Sequence, residues 1–188
     1  MRVKLAWDGN ISEWGPDLAL LELPNSVVST IEAHKSFLNL VQQKEMLAEE
    51  TLSPQIGPWV VTGMVGELSQ FSHQSETKIV KATAGARALF SGLDQVYQKD
   101  GYDYLELIAD ADLRDVPQSF AGVSGGGLWQ IRLFKDKSER ITWDEKMHFR
   151  GVAFWQSAIT DRQRRIRCHG PQSIYEKAWE LRKLSKSD

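Results

Sequence analysis

Cysteine is almost absent from this chain. Cys168 is the only one among 188 residues, so no internal disulfide can form, and a zinc site built from several thiolates is argued against. Long apolar runs are missing as well. No stretch approaches the ~20 residues that a membrane-spanning helix needs, and the opening MRVKLAWDGN has no apolar segment of the signal-peptide kind. These absences lead to the expectation of a reducing, cytoplasmic setting with no membrane partner. Charge of one sign is also scarce: the net value is −2, which gives no general attraction to nucleic acid. There is no internal repeat and no low-complexity tract.

What is present suits a folded domain. Hydrophobic residues make up 41% of the chain and include seven tryptophans, enough for an ordinary core. Residues 16–24, PDLALLELP, read as a strand: an apolar run bounded by prolines that cannot continue a ladder. Residues 26–50 carry apolar positions loosely three and four apart, with Ser29 and Glu32 spaced as a capping box, and predict a partly helical connector. From Gly57 onward the pattern turns to strands. GPWVVTGMVGE and TKIVKAT are two, with SQFSHQSET between them as a polar loop. Residues around Val96–Tyr97 and Tyr102–Leu107 predict a hairpin turned by Asp100-Gly101. GLWQIRLF and HFRGVAFWQS follow, separated by the polar excursion KDKSERITWDEK, and RRIRCHG predicts a return strand. In GPQSIYEKAWELRKL, Ser173 and Glu176 are spaced as a capping box, and Ile174, Ala178 and Leu181 share a helical face. Several short strands and one terminal helix predict a mainly β fold, a small barrel with a helix docked on it.

The most specific motif is AGVSGGGLWQ, residues 121–130, where Ser124 sits among four glycines. A nucleophilic serine needs backbone N–H groups directed at the oxyanion that develops on attack, and flanking glycines let the chain turn without a Cβ penalty. A glycine-rich hairpin or a phosphate-cradling loop has a similar composition. A phosphate loop, however, calls for a lysine and then a helix, whereas Leu128, Trp129 and Ile131 announce a strand.

SFAGVSGGGLW, with PDLALLEL about a hundred residues before it and FRGVAFWQS after it, resembles the trypsin-like (chymotrypsin-fold) serine peptidases, in particular the bacterial trypsin-like peptidase-domain proteins. The resemblance spans roughly residues 14–184. It implies Ser124 as nucleophile and Asp17 as the triad aspartate. It also implies an oxyanion hole on the amides of Gly122 and Ser124, and substrate contacts from Gln118, Ala153, Phe154 and Trp155. The implied fold is a chymotrypsin-like six-stranded β-barrel (the second barrel) over 56–170. Residues 1–24 would be a remnant of the first barrel, 25–55 a partly helical connector, and 171–188 a C-terminal helix and tail. No metal or cofactor is implied. The expected partner is a peptide or protein substrate.

The chain also departs from that pattern. The family order is His, Asp, Ser, yet no histidine precedes Asp17. A serine without a base is a poor nucleophile, so the expectation is an incomplete peptidase domain, lacking the N-terminal part with the histidine and inactive as it stands. A non-catalytic relative that pairs with an extended peptide or partner chain, or forms a homodimer, is the alternative. His34 and His73 read as surface and loop residues, while His148 and His169 lie at strand ends. Val123 and Gly127 stand where relatives carry an acid and a proline. Val116–Ser119 carry no charge at the expected pocket floor. Arg162, Arg164, Arg165 and Arg167 read as a solvated, edge-protecting cluster rather than a phosphate grip. Cys168 reads as a half-buried structural thiol.

Overall fold

A computed structural model describes residues 2–6, 16–49, 57–73, 80–114 and 116–180. Residues 7–15 of the expected N-terminal segment, 50–55 of the connector, 74–79 between the expected strands GPWVVTGMVGE and TKIVKAT and into the latter, and the tail from Leu181 lie outside these residues. The fold is mainly antiparallel β. A small hairpin pairs β1 (Arg2–Ala6) with β2 (Leu18–Glu22). Two helices follow, α1 (Asn25–Glu32) and α2 (Leu40–Glu49). Then come β3 (Trp59–His73), β4 (Val80–Ser91), β5 (Leu93–Lys99), β6 (Tyr102–Asp110), β7 (Gly127–Lys135), β8 (Ile141–Gln156) and β9 (Gln163–His169). The last seven form one antiparallel sheet in the order β4-β3-β7-β8-β9-β6-β5. Its hydrogen-bonded ladder is open, but the two outermost strands are neighbours in sequence, separated only by Gly92. No helix among the described residues is long and apolar enough to cross a membrane.

Alternation puts one face of each strand into the core. Leu105, Leu107 and Ala109 of β6, Ile166 and Cys168 of β9, Leu128 of β7 and Ala153 of β8 pack with Trp59, Val61 and Val65 of β3. Cys168 is fully buried rather than half-buried, and burial raises its thiol pKa. It is a core residue whose thiol stays protonated at ordinary pH. A second cluster joins Leu18 of β2 and Phe149 of β8 to Ile174, Tyr175 and Ala178. The Tyr175 hydroxyl donates to the Phe149 carbonyl at 2.7 Å, tying the C-terminal helix to the sheet.

Several expectations are corrected. Ser29 lies inside α1 rather than capping it. Pro24 occupies the N-cap, and its carbonyl accepts from Val27 and Val28. The side chain of Asn39 caps α2, accepting from the amides of Val41 and Gln42 at 3.1 and 3.2 Å. His73 is not in a loop: it ends β3 and pairs with Val80, because backbone pairing carries a hairpin end without needing an apolar face. The polar excursion is shorter than expected, since β7 continues to Lys135 and β8 begins at Ile141. The Asp100-Gly101 turn is as predicted, both residues having positive φ.

Ser173 does not form a box with Glu176. The helical segment begins two residues earlier, at residue 171, and its turn Ser173–Lys177 is π-helical. The cap is supplied from β6: Asp103 accepts from the amides of Gln172 (3.0 Å) and Ser173 (2.6 Å) and from the Ser173 hydroxyl (2.7 Å). A carboxylate reached through the fold does what a local side chain was expected to do.

The arginine run is not on an edge. β9 lies between β8 and β6, so its outward side chains meet neighbouring strands. Glu106 of β6 is fully buried. It accepts from Arg165 at 3.1 Å and from Arg167 at 3.1 and 2.8 Å. The Arg167 guanidinium also lies 4.5 Å from the Trp155 ring centroid.

Candidate functional site

The loop from Phe120 to Gly126 is two successive four-residue turns. The amide of Val123 donates to the carbonyl of Phe120 at 3.0 Å, and that of Gly126 to the carbonyl of Val123 at 2.7 Å. The third residue of each turn is a glycine with positive φ, Gly122 at 92° and Gly125 at 83°, as a type II turn requires. Val123 is buried between them in the core. Its apolar side chain anchors the loop.

The amides of this loop divide into two sets. Ala121 donates to Ser119 Oγ, Val123 and Gly126 close the two turns, and Gly125 donates to the Ala153 carbonyl at 2.8 Å. The amides of Gly122 and Ser124 have no acceptor among the described residues, and both residues are exposed. These are the two amides expected to serve an oxyanion. The Ser124 hydroxyl donates to the Phe154 carbonyl at 3.0 Å, so in this state its proton is held by a main-chain oxygen and not by a base.

A cleft of about 230 Å³ opens beside Ser124. Ala153, Phe154 and Trp155 border it, together with Phe120, Gln156 and Ile166. On the β7 side the ladder of β8 ends at Val152, so the strand reaches the cleft as the other ladder, to β9, continues to Gln156. Gln118 does not border the cleft. Its amide donates to Glu67 Oε1 and its side chain to the Ala111 carbonyl. The Glu67 carboxylate also accepts from the Ser119 amide at 3.2 Å, and so fixes the approach to the loop. Glu67, Phe120 and Gln156 are the neighbours that the sequence reading missed. Their only signal was position, within GMVGE, SFAG and FWQ.

Asp17 and Ser124 border a second, larger cavity of about 870 Å³, walled by Leu18, Leu20, Phe149 and Trp179 among others. No hydrogen bond or ion pair among the described residues links the two. Among the described residues, no histidine borders either cavity. His34 is exposed, and His148 is buried within β8 rather than at its start. His169 is fully buried at the end of β9, stacked on Phe154 with ring centroids 4.6 Å apart. Burial lowers its pKa to about 4, the Asp103 carboxylate opposing only in part. It is a neutral packing residue at ordinary pH.

No protein-family model, no curated protein and no solved structure matches the chain. The resemblance therefore rests on the residues that carry it in the sequence.

Proposed function

We propose that this chain carries the acyl-transfer site of a trypsin-like serine peptidase domain, with Ser124 as nucleophile and no base beside it among the described residues. The single observation that carries this reading is the loop's two free amides, Gly122 and Ser124, on either side of a buried Val123. In such a site Ser124 Oγ bonds to the acyl carbon while its proton passes to a base. The carbonyl oxygen takes up negative charge, which the two amides would meet; then the C–N bond breaks and the amine leaves with a proton. One donor of this kind contributes about 2.7–4 kcal/mol to the transition state.

The strand arrangement supports the same reading. With the stretch β4–Gly92–β5 counted as one bent strand, its first half lies beside β3 and its second beside β6. That is the continuity a six-stranded barrel would need. Asp17 and Ser124 line one cavity between the β1–β2 hairpin side and the main sheet, which is compatible with the aspartate role proposed for Asp17.

Among the described residues no histidine borders either cavity, and the Ser124 hydroxyl is held by the Phe154 carbonyl; both favour the incomplete, inactive domain over an active peptidase. A general base contributes roughly 10²–10⁴-fold, so hydrolysis by this chain alone is slow. A fluorophosphonate probe tests both parts. The expected result is slow phosphonylation confined to Ser124, absent in Ser124→Ala and accelerated about ten-fold or more by free imidazole acting as the missing base. Rapid labelling without imidazole would show that a base is present. Labelling that ignores Ser124 would remove the nucleophile assignment.

A further inference from the structure

The cleft beside Ser124 has a definite chemical character. Among the described residues no ionisable side chain borders it; its walls come from Phe120, Val123, Ala153, Phe154, Trp155 and Ile166, with one amide side chain, Gln156. A cavity of ~150 Å³ with apolar walls holds a benzene ring. The 230 Å³ here therefore accommodates a branched aliphatic or an aromatic side chain.

Gln156 is fixed from behind. Its Oε1 accepts from the Phe120 amide at 2.8 Å and from Arg164 Nη1 at 2.7 Å, and its Nε2 lies 3.5 Å from Ser119 Oγ. Arg164 makes no ion pair among the described residues, and its Nε is buried without a hydrogen-bond partner. Arg167, under Trp155, shares the buried Glu106 carboxylate with Arg165. The Glu67 carboxylate is engaged by the amides of Gln118 and Ser119. Arg164, which has no carboxylate partner among the described residues, is thus the cation in direct contact with Gln156 behind the cleft.

This arrangement sorts side chains. A lysine or arginine entering the cleft would be desolvated toward a like charge. A carboxylate could reach Arg164 only by displacing Gln156 Oε1, which would strip the buried Phe120 amide of its acceptor. An uncharged apolar side chain disturbs neither contact and gains from burial.

We infer that the cleft takes an uncharged apolar side chain, up to the size of phenylalanine, from an extended peptide, and that Arg164, acting through Gln156, is the positioning residue that turns basic side chains away. The inference rests on the reading of Ser124 as a peptide acyl-transfer site, since that reading supplies the peptide.

The test uses matched, unreactive N-acetyl tripeptide amides that differ only in one residue: Phe, Leu, Glu or Lys. Dissociation constants come from amide chemical-shift titrations of the whole chain. The expected order is Phe and Leu tightest, with Glu and Lys weaker by about ten-fold or more. Arg164→Gln should bring Lys to within about three-fold of Phe while leaving Phe itself nearly unchanged, and Arg164→Lys should restore the discrimination. Added salt should narrow the Phe-to-Lys ratio in the wild type and not in Arg164→Gln. Ala121→Trp, at an exposed wall of the cleft, should weaken Phe most. Equal or tighter binding of Lys or Glu, no binding of any peptide, or a ratio indifferent to Arg164 would overturn the inference. Binding with this selectivity but no phosphonylation of Ser124 would leave the cleft's preference standing and remove only the acyl-transfer reading.

Discussion

Gly122 and Gly125 offer a controlled comparison, because their backbones are alike and their surroundings are not. Both have positive φ, 92° and 83°, so alanine at either position carries a backbone penalty of about 1–2 kcal/mol. Part of it, about 0.4–1 kcal/mol, is returned by the lower entropy of the unfolded chain. A Cβ on Gly125 would meet nothing within 4 Å, whereas one on Gly122 would lie 2.8 Å from the Met64 carbonyl oxygen and 3.2 Å from the Gly66 amide nitrogen. Those atoms belong to β3 and cannot retreat cheaply, since the Gly66 amide is already bonded to the Ala121 carbonyl at 2.7 Å. Forcing a methyl into packed backbone adds about 1–3 kcal/mol. Gly125→Ala should therefore cost roughly 1 kcal/mol, or about 2–4 °C in a chain of this size. Gly122→Ala should cost roughly 2–4 kcal/mol and lower Tm by about 4–16 °C. Circular-dichroism melts of the two variants and the wild type, with urea midpoints as a second measure, decide it. If Gly125→Ala is the more damaging variant, or if Gly122→Ala melts with the wild type, the loop does not lie against β3 as described, and the argument for its amides fails with it.

Three other outcomes are expected. Glu106→Gln should destabilise the chain by about 3–5 kcal/mol in urea unfolding, because Arg167, with its side chain only 6% exposed, loses the carboxylate that neutralises it; a loss under 1 kcal/mol would mean that the cluster is solvated. His169 has a folded pKa of about 4 against 6.5 in the unfolded chain. The unfolded state thus binds the proton more readily between those values, and stability present above pH 6.5 is lost as pH falls toward 4. His169→Phe should remove up to one proton's worth of that slope, at most about 1.4 kcal/mol per pH unit, and parallel curves for the two proteins would contradict the buried, neutral state. Asp103→Asn should cost about 1–2 kcal/mol and loosen protection of the Gln172 and Ser173 amides in hydrogen exchange; unchanged exchange would show that the cap is not made by this carboxylate.

Much of the sheet was legible in the sequence because its strands are apolar runs closed by turn residues. The hairpin at Asp100-Gly101 and the strand after Gly127 needed only local information. Local rules failed where a partner comes from far along the chain. Ser173 looked like a cap, yet its neighbours are capped by Asp103, which lies 70 residues away. The arginines of β9 looked like an edge device because nothing nearby in sequence indicates that Glu106 lies beside them. In the site, Ser124 and its glycines were visible as a motif, and the division of their amides into bonded and free follows from the two turns the glycines permit. Glu67, Phe120 and Gln156 carried no motif. They reach the cleft through cross-strand placement, which no spacing rule encodes.

The acceptor for the Ser124 hydroxyl is a main-chain oxygen, and this has a consequence for variation. A side-chain acceptor could be deleted by one substitution, leaving the hydroxyl to turn elsewhere. The Phe154 carbonyl persists whatever residue occupies position 154, because its direction is set by the irregular register between Ala153 and Trp155. Replacing Phe154 changes the stack on His169 and leaves the latch intact. Only an insertion, a deletion or a proline that re-registers this stretch of β8 releases it. The resting state of the serine is thus inherited with the shape of the strand and stays insulated from point substitution at its own contact.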